Sequence, residues 1–177
     1  MAVVRARTGT GGGGMRTVVG VMGSGSDRDA ALLDTAYRLG AAIAGAGWVL
    51  LSGGRCTGVM EAASRGAAET GGLVIGVLPD EDDRRASTHL DVAIRTGMGD
   101  ARNVINVLSS DVVIALKGGA GTLSEIALGL NAGRTVVALG FDPGAGFRAW
   151  RDTGQLLLVG TVSDAVEAAR TALGAKE

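Results

Sequence analysis

Short apolar segments alternate along the chain with longer segments whose apolar residues recur every three or four positions. The short segments are rich in Val, Ile and Leu, and they predict strands at 16–22, 48–51, 73–78, 91–95, 111–116, 135–139 and 156–159. The longer segments predict helices at 29–45, 59–69, 100–108, 122–131 and 163–172. Such alternation is typical of a doubly wound α/β fold, with a mainly parallel sheet and helices on both faces.

Composition supports this fold and indicates a single domain. Of the 177 residues, 46% are hydrophobic but only 3% are aromatic, so the core must be built from aliphatic side chains. Parallel sheets that are covered on both faces have this composition. We therefore predict one Rossmann-like nucleotide-binding domain over residues 15–177. Residues 1–14 end in four glycines, and we predict that this segment is disordered.

Charge and the scarcity of reactive side chains argue against several classes of function. The net charge is −1 and there is no long basic stretch, so we predict no nucleic-acid partner. Cys56 and His89 are the only cysteine and histidine, which argues against a disulfide and a metal centre. The sequence has no bilayer-length apolar run and no secretory signal, and we predict a cytoplasmic protein without a membrane partner.

Three glycine-rich turns follow predicted strands, at 23–26, 52–54 and 118–122. In a parallel sheet these turns share the carboxyl edge, where ligands bind. Glycine allows the backbone to approach an anion closely, and helix N-termini attract negative charge. The alternative is that the glycines only form tight turns. The residues predicted to hold a phosphorylated ligand are Gly23, Ser24, Gly53, Gly54, Gly118, Gly119, Gly121 and Thr122.

Two common nucleotide-binding motifs do not fit these turns. Gly23 and Gly25 begin a dinucleotide fingerprint, but Arg28 stands where its third glycine would be. Lys117 precedes its glycines, and no Gly-Lys-Ser/Thr follows any of the turns. The sequence therefore disfavours both an NAD-dependent dehydrogenase and a Walker-type P-loop.

The third turn carries candidate chemistry. Thr122 and Glu125 have the spacing of a helix capping box, but Glu125 could equally be a catalytic carboxylate beside a phosphate. Arg102 could bind phosphate through its planar guanidinium, or could simply be a solvated surface cation. Asn103 could supply a second polar contact. The residues alone leave these alternatives open.

The segment from Gly118 to Glu125 resembles the P-G-G-x-G-T-x-x-E signature of the LOG ("lonely guy") proteins, once labelled lysine decarboxylases. The resemblance covers residues 16–139 and includes the turn at 52–54. It implies cleavage of cytokinin riboside 5′-monophosphates, with Glu125 as the catalytic carboxylate and Arg102 as its partner. It also implies that Gly118, Gly119, Gly121 and Thr122 hold the 5′-phosphate, and that the protein forms dimers or tetramers.

Two departures from the LOG pattern favour a sister group. Lys117 replaces the signature proline, and residues 98–103 replace the Met-His-x-Arg-Lys segment. The run Thr-Gly-Met-Gly-Asp-Ala-Arg-Asn is similar to the molybdenum cofactor carrier proteins, which bind a pterin phosphate without turnover. Two functions therefore stay open, a nucleoside 5′-monophosphate phosphoribohydrolase and a non-enzymatic carrier. Neither requires a resident cofactor, because the nucleotide or the molybdenum cofactor would be the ligand.

Lysine decarboxylation does not fit the sequence. Pyridoxal-dependent decarboxylation needs a Schiff-base lysine. The only lysines are Lys117 and Lys176, and Lys176 lies in the C-terminal tail.

Overall fold

A computed structural model describes residues 15–174, which form a seven-stranded parallel sheet with helices on both faces. The predicted doubly wound α/β fold is therefore confirmed. The predicted disordered segment, residues 1–14, lies outside the described residues. The strands are β1 (Val18–Met22), β2 (Val49–Ser52), β3 (Val74–Leu78), β4 (Val92–Arg95), β5 (Val112–Leu116), β6 (Thr135–Leu139) and β7 (Leu156–Val159). The helices are α1 (Ala30–Gly45), α2 (Gly58–Glu69), α3 (Asn103–Leu108), α4 (Ala120–Asn131), α5 (Arg148–Asp152) and α6 (Val162–Gly174).

The strand order is β4-β3-β2-β1-β5-β6-β7, and every neighbouring pair is parallel. The chain thus builds the sheet outward in one direction from β1 to β4 and then returns to extend it in the other direction from β5. Val19 pairs with Leu50 of β2 on one side and with Val112 of β5 on the other. A crevice opens beyond the carboxyl ends of strands at such a reversal, which places the ligand-binding position between β1 and β5.

Two apolar clusters fill the space between the sheet and its two helix layers. One cluster joins the sheet to α1, α2 and α6, and the other joins it to α3, α4 and α5. Ile126 and Leu130 of α4 are buried in the second cluster. No helix within residues 15–174 is both long and apolar enough to span a membrane.

Two segments differ from the sequence prediction. The helix predicted over 100–108 begins instead with a 3-10 turn, Gly99–Arg102, and positive φ values occur at Gly97 before the turn (63°) and at Gly99, its first residue (55°). The segment 141–154, predicted as a loop, contains the short helix α5. Trp150 and Phe147 pack this helix against the second apolar cluster.

Of the two alternatives for Thr122 and Glu125, the capping box does not form at the start of α4. The helix begins at Ala120, so Thr122 already lies in its first turn and Glu125 lies one turn further along. A threonine caps α6 instead, where the Thr161 hydroxyl accepts a hydrogen bond from the Asp164 N–H at 3.1 Å. The same hydroxyl donates to the Asp164 carboxylate at 2.6 Å. Glu125 is therefore free of a capping role.

Helices α1 and α2 pack with their backbones in close contact at two glycines. A methyl group on Gly40 would overlap the Ala63 carbonyl oxygen, and one on Gly66 would overlap the Tyr37 carbonyl oxygen. This close approach fixes the position of α2, whose first turn lies beside the carboxyl edge of the sheet.

We expect Gly40→Ala to lower the free energy of unfolding by about 1–3 kcal/mol, the usual cost of overpacking. The loss should occur although alanine favours a helix over glycine by up to about 1 kcal/mol. Gly45→Ala in the same helix is the matched control, since nothing lies within 4 Å of its added methyl group. Urea denaturation of both variants measures the difference, and equal stabilities would contradict the proposed close packing.

Candidate functional site

A cavity of about 430 Å³ lies at the predicted position, beyond the carboxyl ends of β1 and β5. Most of the site residues predicted from the sequence line this cavity, and only Gly54 and Gly118 do not. Those that line it are Gly23, Ser24, Gly53, Arg102, Asn103, Gly119, Gly121, Thr122 and Glu125. Residues that lie in three separate turns and at the start of α3 therefore line one continuous cavity.

The helices that follow the three glycine turns begin in different ways. The first turn of α2 is covered, because the Val59 N–H donates to the Ser24 carbonyl at 2.9 Å. Helix α1 is capped by Asp29, whose carboxylate accepts from the Ala31 N–H at 2.9 Å. Helix α4 has no side-chain cap, and its first turn at Gly121 and Thr122 lines the cavity. Helix α4 thus presents first-turn N–H groups to the cavity without a side-chain cap.

The glycines of the third turn also differ from one another. A methyl group on Gly118 would overlap the Thr122 hydroxyl and would lie 3.0 Å from the Ser24 nitrogen, so this glycine lets two turns meet. Added methyl groups on Gly119 and Gly121 would meet nothing within 4 Å. Their open space borders the cavity, so these two positions keep the N-terminus of α4 accessible.

Arg102 is buried, with 8% of its surface exposed, and the interpretation of this residue as a solvated surface cation is wrong. Its Nη1 lies 3.7 Å from Glu125 Oε1, which is close enough for an ion pair but too long for a hydrogen bond. Its Nε and Nη1 are buried and have no hydrogen-bond partner. The guanidinium lies against the backbone of Gly53, where a methyl group would come within 2.6 Å of Nη1 and Nη2. Arg102 therefore borders the cavity with guanidinium donors that no protein atom satisfies, and such donors favour an anion.

Glu125 faces the same cavity and is equally buried, at 6% exposure. Burial raises the pKa of its carboxyl group from 4.5 to about 7. A hydrogen bond from Asn106 Nδ2 to Oε1, 2.7 Å long, and the charge of Arg102 both lower the pKa, while nearby Asp100 raises it. Burial in turn lowers the pKa of Arg102, and Glu125 opposes that shift. The carboxyl group of Glu125 is therefore poised between its two charge states near neutral pH.

Asn103 braces the α4 turn and does so through its side-chain amide. Its Nδ2 donates to the Ser124 hydroxyl at 2.9 Å, and that hydroxyl donates to the Gly121 carbonyl at 2.7 Å. This chain of hydrogen bonds fixes the first turn of α4 to the start of α3. Asn103 also lines the cavity, so the residue that holds the α4 turn in place borders the ligand space as well.

Several residues in or beside the cavity were not predicted from the sequence. Arg55 and Asp100 line the cavity and add one charge of each sign, and the Arg55 guanidinium is held by Asp80 at 3.0 Å. Arg55 directly follows the turn at 52–54, so its position in the sequence could have revealed it. Asn106 gave no signal, because an asparagine within a helical pattern is usually a surface residue. Within residues 15–174, no group of three or more His, Cys, Asp or Glu side chains could hold a metal ion.

Fold and site together define a Rossmann-like protein with a polar, glycine-lined cavity at the reversal point of its sheet. The sequence matches the SLOG cluster4 family over residues 16–166, and the chain belongs to that family.

Relatives with two different activities are similar to this chain. A cytokinin riboside 5′-monophosphate phosphoribohydrolase from Mycobacterium tuberculosis is 34% identical over 171 residues, covering 85% of this chain and 91% of the enzyme. The molybdenum cofactor binding protein from Rippkaea orientalis is 43% identical, with a TM-score of 0.84 over 90% of this chain and 98% of that protein. The molybdenum cofactor carrier protein from Chlamydomonas reinhardtii is 42% identical, with a TM-score of 0.83 over 90% and 99%.

We expect Glu125→Gln to change how stability depends on pH. Because the folded protein holds the Glu125 proton more tightly than the unfolded chain does, wild-type stability should be lost as pH rises from 4.5 through 7. Glutamine cannot ionise, so the variant avoids this loss. The free energy of unfolding of the variant minus that of the wild type should rise by about 3 kcal/mol between these limits. Urea denaturation at pH 4.5 and pH 8 measures it, and parallel pH profiles would contradict the raised pKa.

Proposed function

We propose that this chain binds a pterin phosphate of the molybdenum cofactor type at the cavity between β1 and β5, and acts as a carrier. The observation that carries the proposal is Arg102, a buried guanidinium whose Nε and Nη1 have no hydrogen-bond partner. An unsatisfied buried cation is costly to the folded protein unless an anion completes its hydrogen bonds. The phosphate of the ligand would supply that anion.

The backbone around Arg102 also fits a phosphate. The first-turn N–H groups of α4, around Gly121, border the same cavity and favour negative charge there. The open space at Gly119 and Gly121 leaves room for phosphate oxygens against the backbone. A volume of about 430 Å³ lies within the range of small-molecule sites, which begins near 300 Å³. These residues therefore fit a phosphorylated ligand of cofactor size.

Two observations favour the pterin class over a cytokinin nucleotide. Identity is higher to the two molybdenum cofactor proteins, at 43% and 42%, than to the phosphoribohydrolase, at 34%. In addition, Gly99 has a φ of 55°, which L side chains rarely adopt. Aligned through Arg102, the Met-His-x-Arg-Lys segment would place a methionine here, so it could not keep this backbone unchanged.

In this proposal, Arg102 and the α4 N-terminus hold the phosphate, and Met60 and Gly53 form a wall for the rest of the ligand. The bound molybdenum cofactor is cargo, and its chemistry is carried out after transfer to an enzyme. The chain itself binds, orients and shields the ligand, and it forms and breaks no covalent bond.

The test is binding of molybdenum cofactor released from a purified molybdoenzyme, measured by the fluorescence of its oxidised pterin. Arg102→Ala should weaken binding about 10- to 100-fold, the effect of losing hydrogen bonds from a charged donor. Arg102→Lys should restore only part of the affinity, since an ammonium group cannot bind an oxyanion through two donors. Unchanged affinity in Arg102→Ala would remove the basis of the proposal.

Gly121→Ala tests the phosphate position without altering the charge. Its methyl group meets no protein atom, so the fold should be as stable as the wild type or slightly more stable. The same methyl group should narrow the space for the phosphate, and affinity should fall at least tenfold. Gly45→Ala, which adds the same methyl group to a helix away from the cavity, should bind normally.

Hydrolysis of a nucleoside 5′-monophosphate is a second candidate function, favoured by the placement of Glu125 in the cavity beside Arg102. An ionised carboxylate there could stabilise the positive charge that develops on the ribose as the N-glycosidic bond breaks. Incubation with AMP and with isopentenyladenosine monophosphate, followed by chromatography for free base, tests it. Base release should rise with pH as Glu125 ionises and vanish in Glu125→Gln. If no base is released, hydrolysis is excluded and the carrier function is the remaining candidate.

A further inference from the structure

We propose that Asn106 is a positioning residue that sets the charge of the Glu125 carboxyl group, and that this charge controls how tightly the cavity holds an anion. The inference rests on the anion site of the proposed function and adds its regulation by pH. Asn106 does not line the cavity, so it would act only through Glu125.

The contact between the two residues is short and fully enclosed. Asn106 Nδ2 donates to Glu125 Oε1 at 2.7 Å, and Asn106 has no exposed surface. The backbone of Asn106 is fixed separately, because the Ser110 hydroxyl donates to its carbonyl oxygen at 2.7 Å. The side-chain amide is therefore held in place with its donor directed at the carboxyl group.

Packing alone does not explain an asparagine at this position. Its Oδ1 is buried and has no hydrogen-bond partner, which costs stability. A leucine has nearly the same shape and would bury no unsatisfied polar atom. The amide is useful only through its donor, and the acceptor of that donor is Glu125.

Opposing influences act on Glu125, and burial is the largest of them. Arg102 and the Asn106 donor favour the carboxylate, while burial and Asp100 favour the neutral acid. Arg55 lowers the pKa of Arg102, while Asp80 and Asp100 raise it. Removing the Asn106 donor should therefore shift Glu125 towards the neutral acid at neutral pH.

The charge of Glu125 controls anion binding through Arg102. An ionised Glu125, 3.7 Å from the guanidinium, partly neutralises it and repels an incoming anion. A neutral Glu125 leaves the full charge of Arg102 for the ligand. Affinity for an anion should therefore fall as pH rises through the titration of Glu125.

The first experiment follows Glu125 itself in the ligand-free protein, by the carboxyl ¹³C chemical shift across pH 5 to 9. Asn106→Leu should raise the titration midpoint by about one pH unit or more, since a hydrogen bond from a neutral donor to a charged acceptor is lost. Asn106→Ala is the second variant if leucine does not fold. Ser110→Ala, which loosens the backbone of Asn106 but keeps the amide, should titrate like the wild type.

The second experiment measures sulfate binding by isothermal titration, since sulfate stays a dianion over this range and any pH dependence belongs to the protein. In the wild type, affinity should fall by about tenfold from pH 6 to pH 8. Asn106→Leu should bind sulfate several-fold more tightly than the wild type at pH 7.5, with the whole profile moved to higher pH. A merely structural role would weaken binding at every pH without moving the profile.

The outcomes separate this inference from the proposed function. An unshifted Glu125 titration in both Asn106 variants overturns it, even if the protein binds its ligand well. A shifted titration with unchanged sulfate affinity overturns the control of binding. If the wild type binds neither sulfate nor molybdenum cofactor, the proposed function and the control of binding both fail, and the ¹³C titration still decides whether Asn106 sets the charge of Glu125.

Discussion

The burial of Arg102 beside Glu125 is the constraint around which the site is built. Taking two charged groups out of water is costly, and at 3.7 Å without a hydrogen bond their attraction returns only part of that cost. As a result, the pKa of the Glu125 carboxyl group is raised, and two donor atoms of the Arg102 guanidinium have no hydrogen-bond partner. In the proposed function an anion would complete this site, and part of the cost in the free protein would become affinity for the ligand.

The rest of the fold places this pair in the cavity beyond the carboxyl ends of β1 and β5. The reversal of the sheet between β1 and β5 opens the crevice, and glycines remove the side chains that would fill it. Gly53 gives the guanidinium room against the β2 turn, while Gly118 lets the turns after β1 and β5 touch. Glycine thus has two separate uses here, close packing of the frame and access to the N-terminus of α4.

The sequence predicted the frame of the site better than its electrostatics. Apolar alternation implied a parallel sheet, and parallel strands place all their carboxyl ends on one edge, so the cavity followed from the turns alone. The capping box does not form because α4 begins at Ala120, two residues before Thr122, and residue spacing alone cannot show where a helix starts. Burial of Arg102 and the contact of Asn106 with Glu125 depend on packing between distant segments, which a local pattern does not contain.

The same charge balance bears on the choice between carrier and hydrolase. A glycosidic carboxylate must be ionised while substrate phosphate is bound, yet a phosphate in this cavity adds a second negative charge near Glu125. That charge would raise the pKa of the carboxyl group beyond the value of about 7 in the free protein. Ligand binding therefore drives Glu125 towards its neutral form, which suits the retention of an anion and works against glycosidic cleavage.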